Sequence, residues 1–465
     1  MATLLGGNMA KNITNNMTIG SPTRLILKFS LPMLIGNLFQ QLYNIIDAIV
    51  VGNVVGPDAL AAVGATGSLN FLIFSLAFGL SAGVSIVISQ FFGANDEENV
   101  RKSFATAAYT IVGAAIIMGF IGFLFSRPLL ELLNTPESII DQSVIFMKIC
   151  CIGTIGVGSY NGIASVLRAL GDSVTPLFFL VIACIVNIVL DLLFVMVFQM
   201  GVGGAALATV ISQVISAIGC ITYAIVKVDI LRMPLKEFRP DKKIFKKCLA
   251  LGLPVALQNS FVSCSVMVLQ GVINSYGVTV MAAATAASRI EQLILQPGMS
   301  VGAAVASFTG QNIGAGNIDR VKKGFVSASK IIITFSIIML PLIYFGGETI
   351  MNLFISNNID EVMRIEVMRI GVEALRVPCF FYSFVGMIFV TRNLLSGAGD
   401  VKIPMLMGFT EVICRVLFAN VLSAKFGYQG IWWATGLTWV VTAFVGYMRY
   451  YSGRWKYKSV IQNSN

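Results

Sequence analysis

RLILKFSLPMLIGNLFQQLYNIIDAIVVG, residues 24–52, is the stretch on which the reading of this chain turns. As an α-helix it would be ~43 Å long, more than the ~30 Å hydrocarbon core of a bilayer. Beyond Arg24, Lys28 and Ser30 near its start, its apolar run is interrupted in one pattern. Asn37, Gln40, Gln41, Asn44 and Asp47 recur at intervals of three to four residues and draw a polar stripe along one helix face. Hydrocarbon cannot satisfy those side chains, so the stripe should face the protein interior or a water-filled cavity. Interhelical hydrogen-bonding glue is the plainer reading of such residues, but it accounts for a scattered Asn better than for five residues ending in a carboxylate.

The rest of the chain repeats this character. The 465 residues are 56% hydrophobic and 12% charged, about half the charged share of soluble domains, with a mean hydropathy of +0.84. Twelve stretches reach spanning length: 24–52, 59–91, 101–126, 139–168, 174–198, 203–227, 245–275, 280–311, 320–346, 364–396, 402–424 and 429–451. The expected fold class is an all-α membrane protein of twelve transmembrane helices. The net charge of +10 does not indicate nucleic acid, because Lys and Arg cluster in short loops between apolar segments. Arg101 and Lys102, Arg320, Lys322 and Lys323, the eight basic residues of 227–247, and Arg449, Arg454, Lys456 and Lys458 lie on one side. The opposite loops are nearly uncharged or acidic, as at Glu131, Glu137 and Asp141. By the positive-inside rule both termini are cytoplasmic.

An internal repeat appears at an offset of roughly 220–230 residues. Phe29-Ser-Leu-Pro32 matches Leu251-Gly-Leu-Pro254, and Phe92-Gly-Ala-Asn95 with Val100-Arg-Lys102 matches Ile313-Gly-Ala-Gly316 with Val321-Lys-Lys323. Arg168-Ala-Leu-Gly-Asp172 with Pro176 matches Ser396-Gly-Ala-Gly-Asp400 with Pro404, and Gly204 with Ala208-Thr209 matches Gly430 with Ala434-Thr435. Each half crosses the membrane an even number of times, so the halves form a parallel repeat of two pseudo-symmetric six-helix lobes. The expected divisions are a tail at 1–23, one lobe at 24–227, a linker at 228–244, a second lobe at 245–451 and a tail at 452–465.

The polar residues inside the spans are the candidate chemistry. Asn187 and Asp191 lie four apart on one face of the fifth stretch, and Thr209 lies in the sixth. Asp47, Asp191 and Thr209 each fall roughly 8–11 Å below the outer surface. Two carboxylates, an amide oxygen and a hydroxyl are hard oxygen donors that suit a small cation, and a buried carboxylate pair can equally hold a proton. Asp47, Asn187, Asp191 and Thr209 are therefore a candidate site for Na⁺ or H⁺. The second half departs: Arg415 stands at the position of Asn187 and Ala419 at that of Asp191. Glu411 and Arg415, four apart, are expected to neutralise each other, and Arg392 to snorkel to the cytoplasmic side. Arg289 and Glu291 cannot face each other at a two-residue spacing and their roles stay open. Pro32 and Pro254 each remove a backbone donor and should kink their helices. Gly79, Gly83, Gly298 and Gly302 would permit close helix packing.

Other classes find no support. With no histidine and no Cys pattern of metal-ligand spacing, an intramembrane metalloenzyme is not expected. The eight cysteines are expected to pack as small apolar residues. The polar first 23 residues do not resemble a cleavable leader, and the Asn12-Ile13-Thr14 and Asn16-Met17-Thr18 triplets would not be glycosylated in a cytoplasmic tail.

These motifs together resemble the multidrug and toxic compound extrusion (MATE) family of secondary antiporters, over nearly the whole chain. The resemblance is carried by Leu31-Pro-Met-Leu-Ile-Gly-Asn37 with Asn44-Ile-Ile-Asp47, by Arg168-Ala-Leu-Gly-Asp172, by Asn187-Ile-Val-Leu-Asp191 and by Gly201-Val-Gly-Gly-Ala-Ala-Leu-Ala-Thr209. It implies two V-shaped lobes around a central cavity, and export of cationic, amphipathic compounds in exchange for Na⁺ or H⁺ from a bacterial cytoplasmic membrane. Carried over by position, Asp47, Asn187, Asp191 and Thr209 resemble the first-lobe cation site. Gln40 and Asn161, with Asn37 and Asn44 of the same stripe, resemble the lining of the substrate cavity. Where one subgroup of the family has acidic residues in its seventh and tenth helices, this chain has Val262 and Val385, which puts a second-lobe cation site in doubt. The expectation is thus an alternating-access antiporter, without enzymatic activity or cofactor, acting as a monomer on small organic compounds and not on nucleic acid. A lipid-linked oligosaccharide flippase of the same superfamily is the alternative; it would want a strongly cationic cavity, against which the acidic, amide-rich first stretch argues.

Overall fold

The computed structural model describes residues 15–133, 135–234, 236–355 and 360–461. The Asn12-Ile13-Thr14 triplet, with the rest of residues 1–14, and the last residues of the C-terminal tail, 462–465, lie outside the described residues. Among those described, regular structure is helical throughout. In chain order the helices are α1 (Pro22–Val50), α2 (Pro57–Gly93), α3 (Glu97–Leu132), α4 (Glu137–Ala169), α5 (Val174–Asp191), α6 (Gly201–Lys227), α7 (Lys242–Asn274), α8 (Val278–Gly314), α9 (Ile318–Asn352), α10 (Glu361–Cys379), α11 (Tyr382–Gly397), α12 (Lys402–Phe426) and α13 (Gln429–Tyr451). α1 and α5 each run on into a π-helical turn, at Val51–Val55 and Leu192–Val197.

Among the described residues eleven helices are long and apolar enough to cross a membrane, and a bent pair brings the spans to twelve if it counts as one. That pair is α10 and α11, which meet at 53° where one continuous helix over 364–396 is expected. Pro378 sits one residue before the end of α10 and lacks a backbone N–H. The ladder tightens there, with Phe381 N–H donating to Pro378 O at 2.8 Å and Phe384 N–H to Phe381 O at 2.9 Å. Large apolar side chains such as Ile117, Phe120 and Leu124 of α3 and Ile337, Ile338 and Phe345 of α9 are exposed on the outer faces. Water would not tolerate such faces; lipid does. Inside, hydroxyls bond to carbonyls of their own helix, as Thr110 does to Thr106 O at 2.7 Å and Thr438 to Ala434 O at 2.8 Å, so they can be buried without an external partner.

The chain divides into two compact units. The first holds residues 31–256 together with the described residues up to 19; the second holds 20–30 and 257 onward. In both α1 and α7 the change of unit falls beside the internal proline, Pro32 and Pro254 respectively.

The sequence repeat has a structural meaning in each unit. Gly171 and Gly399 end α4 and α11 with φ of +87° and +89°. The following Asp172 and Asp400 return an N–H to Leu167 O and Leu395 O, both at 2.9 Å, the pattern that satisfies the orphaned carbonyls of a helix end. Asn95 and Gly316 close α2 and α8 likewise, with Asp96 N–H on Phe91 O at 3.0 Å and Asn317 N–H on Asn312 O at 2.8 Å. Each repeated turn is therefore a helix stop. The linker meets α3 at Phe238 and Asp241: Asp241 N–H donates to Thr106 Oγ1 at 2.9 Å, and Tyr109 OH donates to Phe238 O at 3.3 Å. Asp241 Oδ1 in turn accepts from the backbone of Lys243 and Ile244, and this cap starts α7 at Lys242, three residues earlier than the apolar pattern suggests.

Within the first unit α2 meets the start of α7 backbone to backbone. A Cβ added at Gly79 would lie 2.5 Å from Ala256 Cβ, and one at Gly83 would lie 2.6 Å from Cys248 O and Gly252 N. Gly113 has nothing within 4 Å of such an atom. Gly83→Val should therefore destabilise the detergent-solubilised protein by about 1–3 kcal/mol, seen as a lowered melting temperature, whereas Gly113→Val should leave it unchanged; equal effects would deny the close approach.

Candidate functional site

Three helices of the first unit deliver the candidate residues. α1 approaches α5 through Gly36, where an added Cβ would lie 3.3 Å from Leu180. α5 approaches α6 through Gly219, where the corresponding distance to the Phe179 ring is 2.7 Å, and Ser216 Oγ donates to Phe179 O at 2.7 Å. Small residues at these crossings let polar side chains farther along the helices meet.

The structure brings Asp47, Asn187, Asp191 and Thr209 together. The carboxyls of Asp47 and Asp191 face each other at hydrogen-bonding range. With its amide oriented to satisfy both neighbours, Asn187 Nδ2 donates to Asp191 Oδ2 at 2.8 Å and its Oδ1 accepts from Thr209 N–H at 3.2 Å. Asp191 is fully buried and Asn187 nearly so, while Asp47 is half-buried. One oxygen of each carboxylate, Asp47 Oδ1 and Asp191 Oδ1, is buried without a hydrogen-bond partner. Two carboxylates in contact need a proton or a cation between them, and two unpartnered oxygens beside an amide and a hydroxyl are a donor set that either could occupy.

Tyr43 completes the cluster and is absent from the residues picked out above. It lies one turn before Asp47 on the same face, and its hydroxyl sits 3.1 Å from Thr209 Oγ1. An aromatic ring in an apolar helix reads as core, so only the four-residue spacing to Asp47 could have pointed to it. The backbone adds a second feature. Asp191 is the last residue of α5 before the π-helical turn, and the turn after α1 begins four residues beyond Asp47. π-Helical insertions often mark functional positions. Val51 and Val195, one from each π turn, are buried in a single apolar cluster with Phe146, Cys150, Val202 and Ala205, which closes the polar site with a dry wall.

The other members of the stripe behave differently. Gln40 Nε2 donates along the helix to Asn44 Oδ1 at 3.5 Å; Asn44 is exposed, and Asn37 and Gln40 are half-buried. Asn161 of α4 spends its amide on Val157 O, one turn back, at 2.9 Å. None of these belongs to the carboxylate cluster. α1 continues as helix through Pro32, fifteen residues before Asp47.

In the second unit two expectations change. Arg392 does not snorkel: it is 8% exposed, and its Nη2 lies 3.4 Å from Glu411 Oε2. Glu411 also meets Arg415 Nη2 at 3.4 Å, so the expected pair is a triad. The turn of α11 places Arg392 inward, a fact its nearness to the end of an apolar run could not reveal. Arg289 is exposed and Glu291 faces a cavity, consistent with their spacing. Of the cysteines, Cys264 is exposed and the other seven are buried.

Removing one partner from the hydroxyl pair should be felt through the other. A double-mutant cycle of Tyr43→Phe and Thr209→Val, read from unfolding of the purified protein, should give a coupling of about 1 kcal/mol; strictly additive losses would show that the two hydroxyls do not bond.

Comparison with known proteins follows the same division of the chain. A family model described as MatE matches residues 32–193 and again 254–421, each match beginning at the internal proline. The chain is similar to the probable multidrug resistance protein YpnP of Bacillus subtilis (strain 168), with 32% identity over 95% of this chain and 97% of that one. It superposes with a TM-score of 0.88 on a structure of MATE in the bent conformation, at 25% identity over 97% of this chain and 99% of the other. A MOP superfamily transporter from Pyrococcus furiosus Vc1 gives a TM-score of 0.85 at 26% identity, over 95% and 97% of the two chains. With both halves matched by one family model and the relatives aligned end to end, the chain belongs to the MatE family of multidrug efflux transporters.

Proposed function

We propose that this protein is a secondary antiporter that exports cationic or amphipathic organic compounds in exchange for H⁺ or Na⁺, with the coupling ion held by Asp47, Asn187, Asp191 and Thr209. The observation that carries this reading is the meeting of the Asp47 and Asp191 carboxylates, each with one buried oxygen left unpartnered. A proton or a Na⁺ arriving there replaces carboxylate repulsion with attraction, and draws α1 toward α5 and α6. Emptying the site leaves the carboxylates opposed and favours a different packing of α1. A ligand shifts such an equilibrium only by its differential affinity for the two states, and two carboxylates whose separation depends on α1 supply that difference.

Substrate reaches the transporter through polar side chains of α1. Asn44 is exposed and Gln40 half-buried on the same helix as Asp47, so an ion-driven movement of α1 alters the surface offered to a substrate. Asn37 lies farther along that helix, and Asn161 on α4 of the same unit. Basic loops on one side of the spans support insertion in the cytoplasmic membrane with both termini in the cytoplasm. All the coupling residues come from one chain, and a monomer suffices.

The test is uptake of a fluorescent cationic dye into inverted vesicles under separately imposed Na⁺ and H⁺ gradients. One gradient should drive uptake, and Asp47→Asn and Asp191→Asn should each reduce it to the background of vesicles lacking the protein, with folding intact by size-exclusion profile. Uptake retained in Asp191→Asn would remove that residue from the coupling. No dye movement under either gradient would turn the reading toward a flippase.

A further inference from the structure

The second unit encloses a cavity of about 270 Å³ among α7, α8, α10, α11, α12 and α13. That is close to the lower end of small-molecule sites. Its wall is apolar over most of its extent, with Val262, Leu269, Val385 and Phe389 among the lining residues. Into this wall are set Glu291, Arg392, Glu411, Arg415 and Trp432. Arg392, Glu411, Arg415 and Trp432 are each less than a tenth exposed.

The hydrogen-bond inventory of this cluster is unbalanced. A guanidinium carries five N–H donors in a planar fork. Nη2 of Arg392 and of Arg415 each makes one 3.4 Å bond to Glu411, a long single contact where a bidentate pair at shorter range is available to this group. Nε of both arginines is buried with no acceptor, and so is Nε1 of Trp432. Three N–H donors from three helix positions are thus unmet around one cavity. Two guanidinium groups share the carboxylate of Glu411, while Glu291, a second carboxylate on the same cavity, makes no ion pair among the described residues and has its Oε1 unpartnered. Buried cations with unmet donors are costly, and the sequence keeps both of them beside an open volume.

We infer that this cavity binds a small amphipathic organic anion, a carboxylate group on an apolar body, through Arg392, Arg415 and the indole N–H of Trp432. A carboxylate supplies about four acceptor sites in a plane that matches the guanidinium fork. It offers acceptors to the guanidinium and indole N–H groups that Glu411 leaves unmet, and its apolar body meets the aliphatic and aromatic wall. The site is independent of Asp47 and Asp191, which lie in the other unit.

Full-length protein in lipid nanodiscs, carrying Asp47→Asn so that cation coupling has no bearing, is titrated calorimetrically against empty nanodiscs. The probes are 4-phenylbutyrate, its uncharged amide and the amine 4-phenylbutylamine, three ligands of nearly one shape. The carboxylate should bind saturably and at least tenfold more tightly than the amide, and the amine should not bind. Trp432→Phe, which keeps the ring and loses the N–H, and Arg415→Lys, which keeps the charge and loses the fork, should each raise the Kd for the carboxylate about tenfold. Glu291→Gln, which removes a carboxylate facing the same cavity, should not weaken carboxylate binding. Binding of the amine or amide as tight as that of the carboxylate would overturn the inference. So would carboxylate binding indifferent to both substitutions, or no saturable carboxylate binding at all.

Discussion

A carboxylate inside a bilayer-spanning bundle has no water to retreat to, and two of them held against each other have no stable state without a third party. Asp47 and Asp191 are in that position. Around them the first unit supplies Asn187 and Thr209 as fixed partners, Tyr43 as a brace on Thr209, and a dry wall formed where the π turns after α1 and α5 bury Val51 and Val195. The cost of leaving buried ionised groups uncompensated is several kcal/mol, comparable with the whole stability of many domains. Whatever neutralises the pair therefore has leverage over the helices that carry it.

The second unit meets the same constraint with the opposite sign. It is built on the same repeat, with the same helix stops at Gly171 and Gly399 and at Asn95 and Gly316, yet Arg415 stands where Asn187 would be and Ala419 where Asp191 would be. The buried charge is now a triad of two arginines on one glutamate. Backbone symmetry has been kept because it is encoded in turns, which demand particular φ angles, whereas the side chains lining each interior are free to diverge as long as each buried charge finds a partner. Two chemically distinct interiors on one repeated frame follow from that freedom.

Helix close-packing links these local facts to the whole. Gly79 and Gly83 bring α2 against the start of α7, Gly36 brings α1 against α5, and Gly219 brings α6 against α5. In lipid there is no hydrophobic drive between helices, and close contact between small residues takes its place. The polar residues can then meet because the backbones approach closely enough for short side chains such as Asp, Asn and Thr to reach across.

Much of this was legible in the sequence, for a physical reason. Spanning length, the stripe of Asn37, Gln40, Asn44 and Asp47, the offset repeat and the four-residue pairing of Asn187 with Asp191 are periodic or local properties, and a bilayer enforces periodicity strictly because every backbone group must be satisfied within its own helix. Depth counted along the helices was enough to suggest that Asp47, Asp191 and Thr209 could share one level. Rotation about the helix axes was not. Which side chain turns inward depends on neighbours distant in sequence, so only the tertiary structure decided that Tyr43 braces Thr209, that Asn161 is spent on its own helix, and that Arg392 is buried against Glu411 rather than reaching for the surface. The break between α10 and α11 belongs to the same class: Pro378 permitted a bend, and its 53° is read only from the structure.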